Sequence, residues 1–216
     1  MMKIKVCGMR ETANLTELLE LKPDFIGFIF YDKSPRFVGE NLDEEFIRAI
    51  PKPIKKVGVF VNANPDYILR MAKKYDLQYV QLHGNETPDF CRTLKMRGAN
   101  IIKAFSIETD FNFATLNNYK PHCDYFLFDA KGANPGGNGI TFDWTVLNRY
   151  DNDRPFFLSG GLSLENIVQI NELKVKIYGL DVNSKFETSP AVKDIDALRQ
   201  LFELIRPIEE EEEIEA

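Results

Sequence analysis

Pro155-Phe156-Phe157-Leu158-Ser159-Gly160-Gly161-Leu162 runs from an apolar segment straight into a glycine pair. Earlier in the chain, Gly136-Gly137-Asn138-Gly139 follows another apolar run and precedes Phe142-Asp143-Trp144. Glycine lets backbone N–H groups close on an anion with no Cβ in the way. A helix start behind such a loop adds its positive dipole end. Two such loops at successive strand ends point to one phosphate held between them. In a (β/α)8 barrel the loops after strands seven and eight, with a short helix, form the usual phosphate grip. A barrel then requires eight β/α units from the chain as a whole.

Short apolar runs do alternate with helical patterns. Strands are expected at Lys3–Cys7, Phe25–Phe30, Lys56–Val61, Tyr79–Leu82, Ile101–Phe105, Tyr125–Phe128, Phe156–Leu158 and Ile177–Val182. Several are apolar on successive residues, as strands buried on both faces are. Asn64-Pro65 and Thr87-Pro88 pair an N-cap with proline at the first helical position, ahead of Tyr67–Tyr75 and Phe90–Met96. Ser163 precedes an expected helix over Leu164–Leu173, and Asp194 precedes one over Ile195–Ile205. Tyr31 to Asp43 holds Pro35 and Gly39 and reads as a loop before a short helix; Asn112–Tyr119 gives a weak pattern. Eight alternating units favour a parallel sheet closed as a single (β/α)8 TIM barrel over residues 1–207. A doubly wound open sheet is the alternative, but no Gly-x-Gly-x-x-Gly follows strand one.

The chain has 216 residues and a formal charge of -6. Six glutamates lie in Glu209–Ala216, so the body carries no net charge. A neutral body argues against an electrostatic nucleic-acid footprint. The expected state of residues 208–216 is a solvated, disordered acidic tail. Three cysteines without close pairs argue against a disulfide framework and fit a reducing cytosol. No stretch approaches the roughly 18 apolar residues of a membrane span. The chain opens into a strand-like run with no signal-peptide core. A cytoplasmic enzyme without nucleic-acid or membrane partners, monomer or homodimer, is the expectation.

The C-terminal strand ends of a β/α barrel face its active site. Cys7, Arg36, His83, Asp129 and Asp181 all fall at or just past such ends. Cys7, before Gly8, is either a small buried hydrophobe or a general base or nucleophile. Asp129, after Phe126-Leu127-Phe128, either caps the next loop or sits in an apolar mouth ready to donate a proton. Asp181 either bonds the next loop or orients a substrate hydroxyl. His83 either holds a neighbouring loop or moves a proton. Arg36 is a solvated surface residue or a bidentate partner for a carboxylate. No second His or Cys stands at metal-ligand spacing, so no metal is expected.

These stretches resemble one family. Lys5-Val6-Cys7-Gly8-Met9-Arg10, Ser34-Pro35-Arg36, Gln81-Leu82-His83-Gly84 and Phe128-Asp129 look like phosphoribosylanthranilate isomerase. So do both glycine loops, the second with Glu165-Asn166, and Asp181-Val182-Asn183-Ser184 with Glu187. The resemblance runs from about Lys3 to about Arg206. It implies a TIM barrel performing an Amadori rearrangement in tryptophan biosynthesis, on a small phosphoribosyl substrate, with no cofactor or metal. By the family motif Asp129 is the acid and Cys7 the base. Arg36 would hold the anthranilate carboxylate, Asp181 the ribose hydroxyls or the amine, and His83 would line the mouth. The phosphate would rest on Gly137, Asn138, Gly139, Gly160, Gly161, Asn183 and Ser184. Where the family often has glycine after the strand-eight serines, this chain has Lys185, which implies either a differently shaped loop or an ammonium that helps hold the phosphate. A barrel acting on a histidine-pathway ribotide is the competing enzyme, typically with two aspartates as acid and base. A non-catalytic phosphosugar-binding module is the competing reading outside catalysis.

Overall fold

The computed structural model describes residues 1–39, 42–130 and 143–207. The glycine loop with Gly137, Asn138 and Gly139 and the acidic tail lie outside the described residues. Eight parallel strands close into a barrel in sequence order. They are β1 (Lys3–Val6), β2 (Phe25–Ile29), β3 (Lys55–Phe60) and β4 (Tyr79–Leu82). The circuit continues through β5 (Ile101–Ile107), β6 (Tyr125–Ala130), β7 (Phe156–Ser159) and β8 (Gly179–Val182). The eight expected strands are all present, with ends shifted by one or two residues. β1 pairs with β8 and closes the ring, setting Lys5 beside Asp181.

The uninterrupted apolar runs have a simple cause: each strand buries both faces. Phe25, Val57, Ile102, Ala104, Leu127 and Phe157 fill the barrel interior. Their neighbours Ile26, Phe28, Ile101, Phe126, Phe128, Phe156 and Leu158 point outward into the layer between sheet and helices. Interior aromatics form a floor: the rings of Phe25 and Phe157 meet edge to face at 5.0 Å, and Tyr125 lies 4.7 Å from Tyr178. The barrel is therefore a packed core with one polar end.

Among the described residues five α-helices wrap this core: α1 (Thr12–Glu20), α2 (Glu44–Ala49), α3 (Pro65–Lys74), α4 (Pro88–Met96) and α5 (Ile195–Ile205). Three of the four helix starts read from sequence are capped as expected. Asn64 accepts from the Asp66 amide, Thr87 from Phe90 and Asp194 from Ala197. α1 has no side-chain cap, which is why its start carries no sequence signal.

The expected helix over Leu164–Leu173 is instead a 3₁₀ segment, Ile167–Glu172. Its β-branched residues weaken an α-helix. Asn166 spends its side chain on the preceding glycine loop and not on a helix cap. Asn112–Tyr119 likewise forms a 3₁₀ turn, Phe113–Asn118. A short antiparallel hairpin, β9 (Glu187–Ser189) and β10 (Val192–Lys193), follows β8 and was not expected. It carries two residues of the site.

Candidate active site

A cavity of about 380 Å³ opens at the C-terminal end of the strands. Cys7, Arg36, His83, Asp129, Gly160, Gly161, Asp181, Asn183 and Ser184 all line it. Every described residue expected at the site is therefore brought to one mouth. Strand parity does much of this. Side chains two apart share a face, so the interior face that carries Phe25, Leu127 and Phe157 lower down carries Gln81, Asp129 and Asp181 higher up.

Cys7 leaves β1 with its amide donated to Val182 O at 2.9 Å. Gly8 then turns at φ 80°, where a Cβ would lie 2.7 Å from Asn183 Oδ1 and 2.8 Å from Arg36 Cδ. Lys5, wholly buried, donates to Asp181 Oδ1 at 2.7 Å. Burial alone would lower the Lys5 ammonium, but Asp181 beside it outweighs that and leaves it raised. Burial pushes the Cys7 thiol up, against the opposing charges of Lys5 and Lys193. The thiol thus sits among fixed charges, out of water.

Across the mouth, Gln81 Nε2 lies 2.9 Å from His83 Nδ1, and His83 Nε2 lies 3.3 Å from Asp129 Oδ2. An amide donating to Nδ1 leaves the proton of a neutral imidazole on Nε2, facing the carboxylate. Gln81 Oε1 is buried with no partner among the described residues.

Arg36 reaches the mouth because Ser34 folds its loop: Ser34 Oγ accepts from the Arg36 amide, and Phe37 N donates to Ser34 O. It is not a solvated surface residue. Its Nε and Nη2 grip Glu187 at 2.6–2.9 Å. Lys193 Nζ donates to the same carboxylate at 2.6 Å and to Asn183 Oδ1 at 2.7 Å. Burial pushes the Glu187 carboxyl up, but Arg36 and Lys193 more than reverse this and hold it below the usual carboxylate range. The hairpin thereby ties the β8 loop to the β2 loop.

Gly160 and Gly161 both take positive φ, 94° and 67°. Asn166 pins the turn, donating to Gly161 O and accepting from Ser163 N. On the facing loop, Ser184–Phe186 form a 3₁₀ turn in which Lys185 avoids the left-handed region. Among the described residues no group of three or more His, Cys, Asp or Glu is placed to hold a metal ion.

Sequence reading missed Lys5, Gln81 and Lys193 as parts of the site. Lys5 had a signal: it shares a face with Cys7, so it too points inward. Lys193 had none, since its place depends on the hairpin. A buried thiol and a carboxylate on separate strands of one polar mouth, with a guanidinium and two glycine turns, suit general acid–base chemistry on a phosphorylated anion.

The chain is also similar to known proteins. The family model described as N-(5'phosphoribosyl)anthranilate (PRA) isomerase matches residues 4–204. N-(5'-phosphoribosyl)anthranilate isomerase of Parabacteroides distasonis is 44% identical over 206 residues, covering 94% of this chain and 93% of that protein. The crystal structure of phosphoribosyl anthranilate isomerase from Thermotoga maritima superposes with a TM-score of 0.79 at 34% identity, over 94% of this chain and 98% of that one. A structure of phosphoribosyl anthranilate isomerase in complex with reduced 1-(o-carboxyphenylamino)-1-deoxyribulose 5-phosphate matches at 31% identity with a TM-score of 0.75, over 94% and 97% of the two chains.

Proposed function

The chain belongs to the N-(5'-phosphoribosyl)anthranilate isomerase family, and on that premise we propose how the residues of its mouth share out the reaction. The enzyme converts N-(5'-phosphoribosyl)anthranilate to 1-(2-carboxyphenylamino)-1-deoxyribulose 5-phosphate, a step of tryptophan biosynthesis. Asp129 donates its proton to the furanose ring oxygen as the C1–O bond breaks, leaving a Schiff base between C1 and the anthranilate nitrogen. Cys7, ionised against the cost of burial by the opposing charges of Lys5 and Lys193, takes the proton from C2, and the electron pair moves into a C1–C2 double bond. The resulting enolamine loses its C2 hydroxyl proton as C1 gains one, which gives the ketone.

His83 holds Asp129 in place through the 3.3 Å contact, and Gln81 fixes the imidazole. Glu187 occupies the Nε–Nη2 edge of Arg36, leaving the Nη1 side for the anthranilate carboxylate. Asp181, with one oxygen committed to Lys5, offers the other to the ribose hydroxyls or the amine. The phosphate rests on backbone N–H groups of Gly160, Gly161, Asn183 and Ser184. The chain works as a monomer or homodimer in the cytoplasm, as one domain over residues 1–207 followed by the acidic tail. No helix among the described residues is long and apolar enough to cross a membrane.

The observation that carries this assignment is that Cys7 and Asp129 line the same cavity from β1 and β6, with Arg36 and the glycine turn on its rim. Loss of the substrate's anthranilate fluorescence tests it. Wild type converts the substrate rapidly, and Cys7→Ala and Asp129→Ala each lose at least about a hundredfold. A folded wild type that leaves the fluorescence unchanged contradicts the reading.

A further inference from the structure

We propose that Lys185 is a side-chain ligand of the substrate's phosphate, adding an ammonium to a grip otherwise made of backbone N–H groups; this rests on the isomerase reading above. The charges around the mouth divide in a way that singles it out. Lys5 is neutralised by Asp181, and Arg36 and Lys193 share the single carboxylate of Glu187. That last trio keeps one net positive charge, which suits the anthranilate carboxylate. The phosphate brings up to two more negative charges.

Among the described residues lining the cavity, the only lysine or arginine side chains are Arg36 and Lys185. Lys185 is exposed and takes part in no ion pair among the described residues.

Its place in the fold supports the same role. It stands three residues past the end of β8, beside Asn183 and Ser184, on the rim that faces Gly160 and Gly161. Its charge is felt across the gap between the two loops. The Glu165 carboxyl is held below the usual range first by the Ser163 hydroxyl and in small part by Lys185. The backbone accommodates a side chain here because Ser184–Phe186 is a right-handed 3₁₀ turn, where a left-handed turn would favour glycine. An exposed ammonium beside a phosphate gives a modest, salt-sensitive gain in binding. Being a point charge at the far end of the substrate, it contributes equally to ground and transition states, so its loss appears in KM.

The test compares wild type, Lys185→Met and Lys185→Arg, with inorganic phosphate as the probe. Calorimetric titration of phosphate gives affinity without turnover, and steady-state kinetics give KM and kcat. The expected result is a phosphate Kd and a KM both raised about fivefold in Lys185→Met, with kcat changed far less, and recovery in Lys185→Arg. The difference between wild type and Lys185→Met narrows as salt rises, because the missing charge is one that salt screens. Equal phosphate affinity in wild type and Lys185→Met overturns the proposal. So does a loss that Lys185→Arg fails to restore and that falls on kcat as much as on KM. A wild type that binds phosphate but does not isomerise the substrate sinks the isomerase reading instead, while the phosphate titration still decides the role of Lys185.

Discussion

The Cys7 sulfur occupies the space that a side chain on Gly27 would fill: a Cβ there would lie 2.6 Å from Cys7 Sγ. The glycine in the middle of β2 is thus a seat for the thiol of β1. Gly27→Ala is expected to displace the sulfur and cut turnover by about tenfold or more, since small misplacements of a reacting group are costly. It should also destabilise the fold by about 1–3 kcal/mol through overpacking. Urea unfolding of Gly27→Ala and of the double variant with Cys7→Ala checks the cause. Removing the sulfur should recover part of the lost stability; additive losses would place the clash elsewhere.

Lys5 and Asp181 form a buried ion pair at 2.7 Å beneath the cavity. Replacing Lys5 alone leaves the nearly buried Asp181 carboxylate without its partner. Lys5→Met should therefore cost about 3–5 kcal/mol of stability, whereas Lys5→Met with Asp181→Leu should be much nearer wild type. Denaturant midpoints of the three variants measure this. A Lys5→Met protein as stable as wild type contradicts the pairing.

Glu187 predicts a pH signature. Its folded carboxyl lies below the ordinary glutamate value of about 4.3. Its contribution is then fully present above that value and is lost as pH falls through the lower folded one. The stability gap between wild type and Glu187→Gln should be constant from neutral pH down to about 5 and then close as the pH drops further. A gap that stays unchanged under acid would mean that Arg36 and Lys193 do not hold the charge.

Gly161 has φ 67° and, chain neighbours aside, no atom of the described residues within 4 Å of where a Cβ would stand. Gly161→Ala therefore reports backbone strain alone, about 1 kcal/mol. Because the strain is relieved by turning the loop, KM should rise more than kcat falls. Unfolding midpoints and steady-state kinetics on one preparation test both parts.

The barrel was legible because its strands bury both faces, so each appears as an apolar run, and because prolines and capping side chains mark α3, α4 and α5. The 3₁₀ segment at Ile167–Glu172 was read as an α-helix because its hydrophobic spacing fits either, and only the use of Asn166 by the glycine turn separates them. The Cys7, Asp129, Arg36 and His83 positions were legible as strand-end residues. What they touch was not. The Lys193–Glu187–Arg36 chain joins the β9–β10 hairpin to the β2 loop, and its parts lie up to 157 residues apart in sequence.

The most direct test separates chemistry from binding at Cys7 and Asp129. Turnover and the affinity for reduced 1-(o-carboxyphenylamino)-1-deoxyribulose 5-phosphate are measured together in Cys7→Ala and Asp129→Ala. Turnover should fall at least about a hundredfold in each, with affinity for the analogue changed only a few-fold, because neither group is needed to hold it. Equal losses of turnover and affinity would contradict their assignment as base and acid.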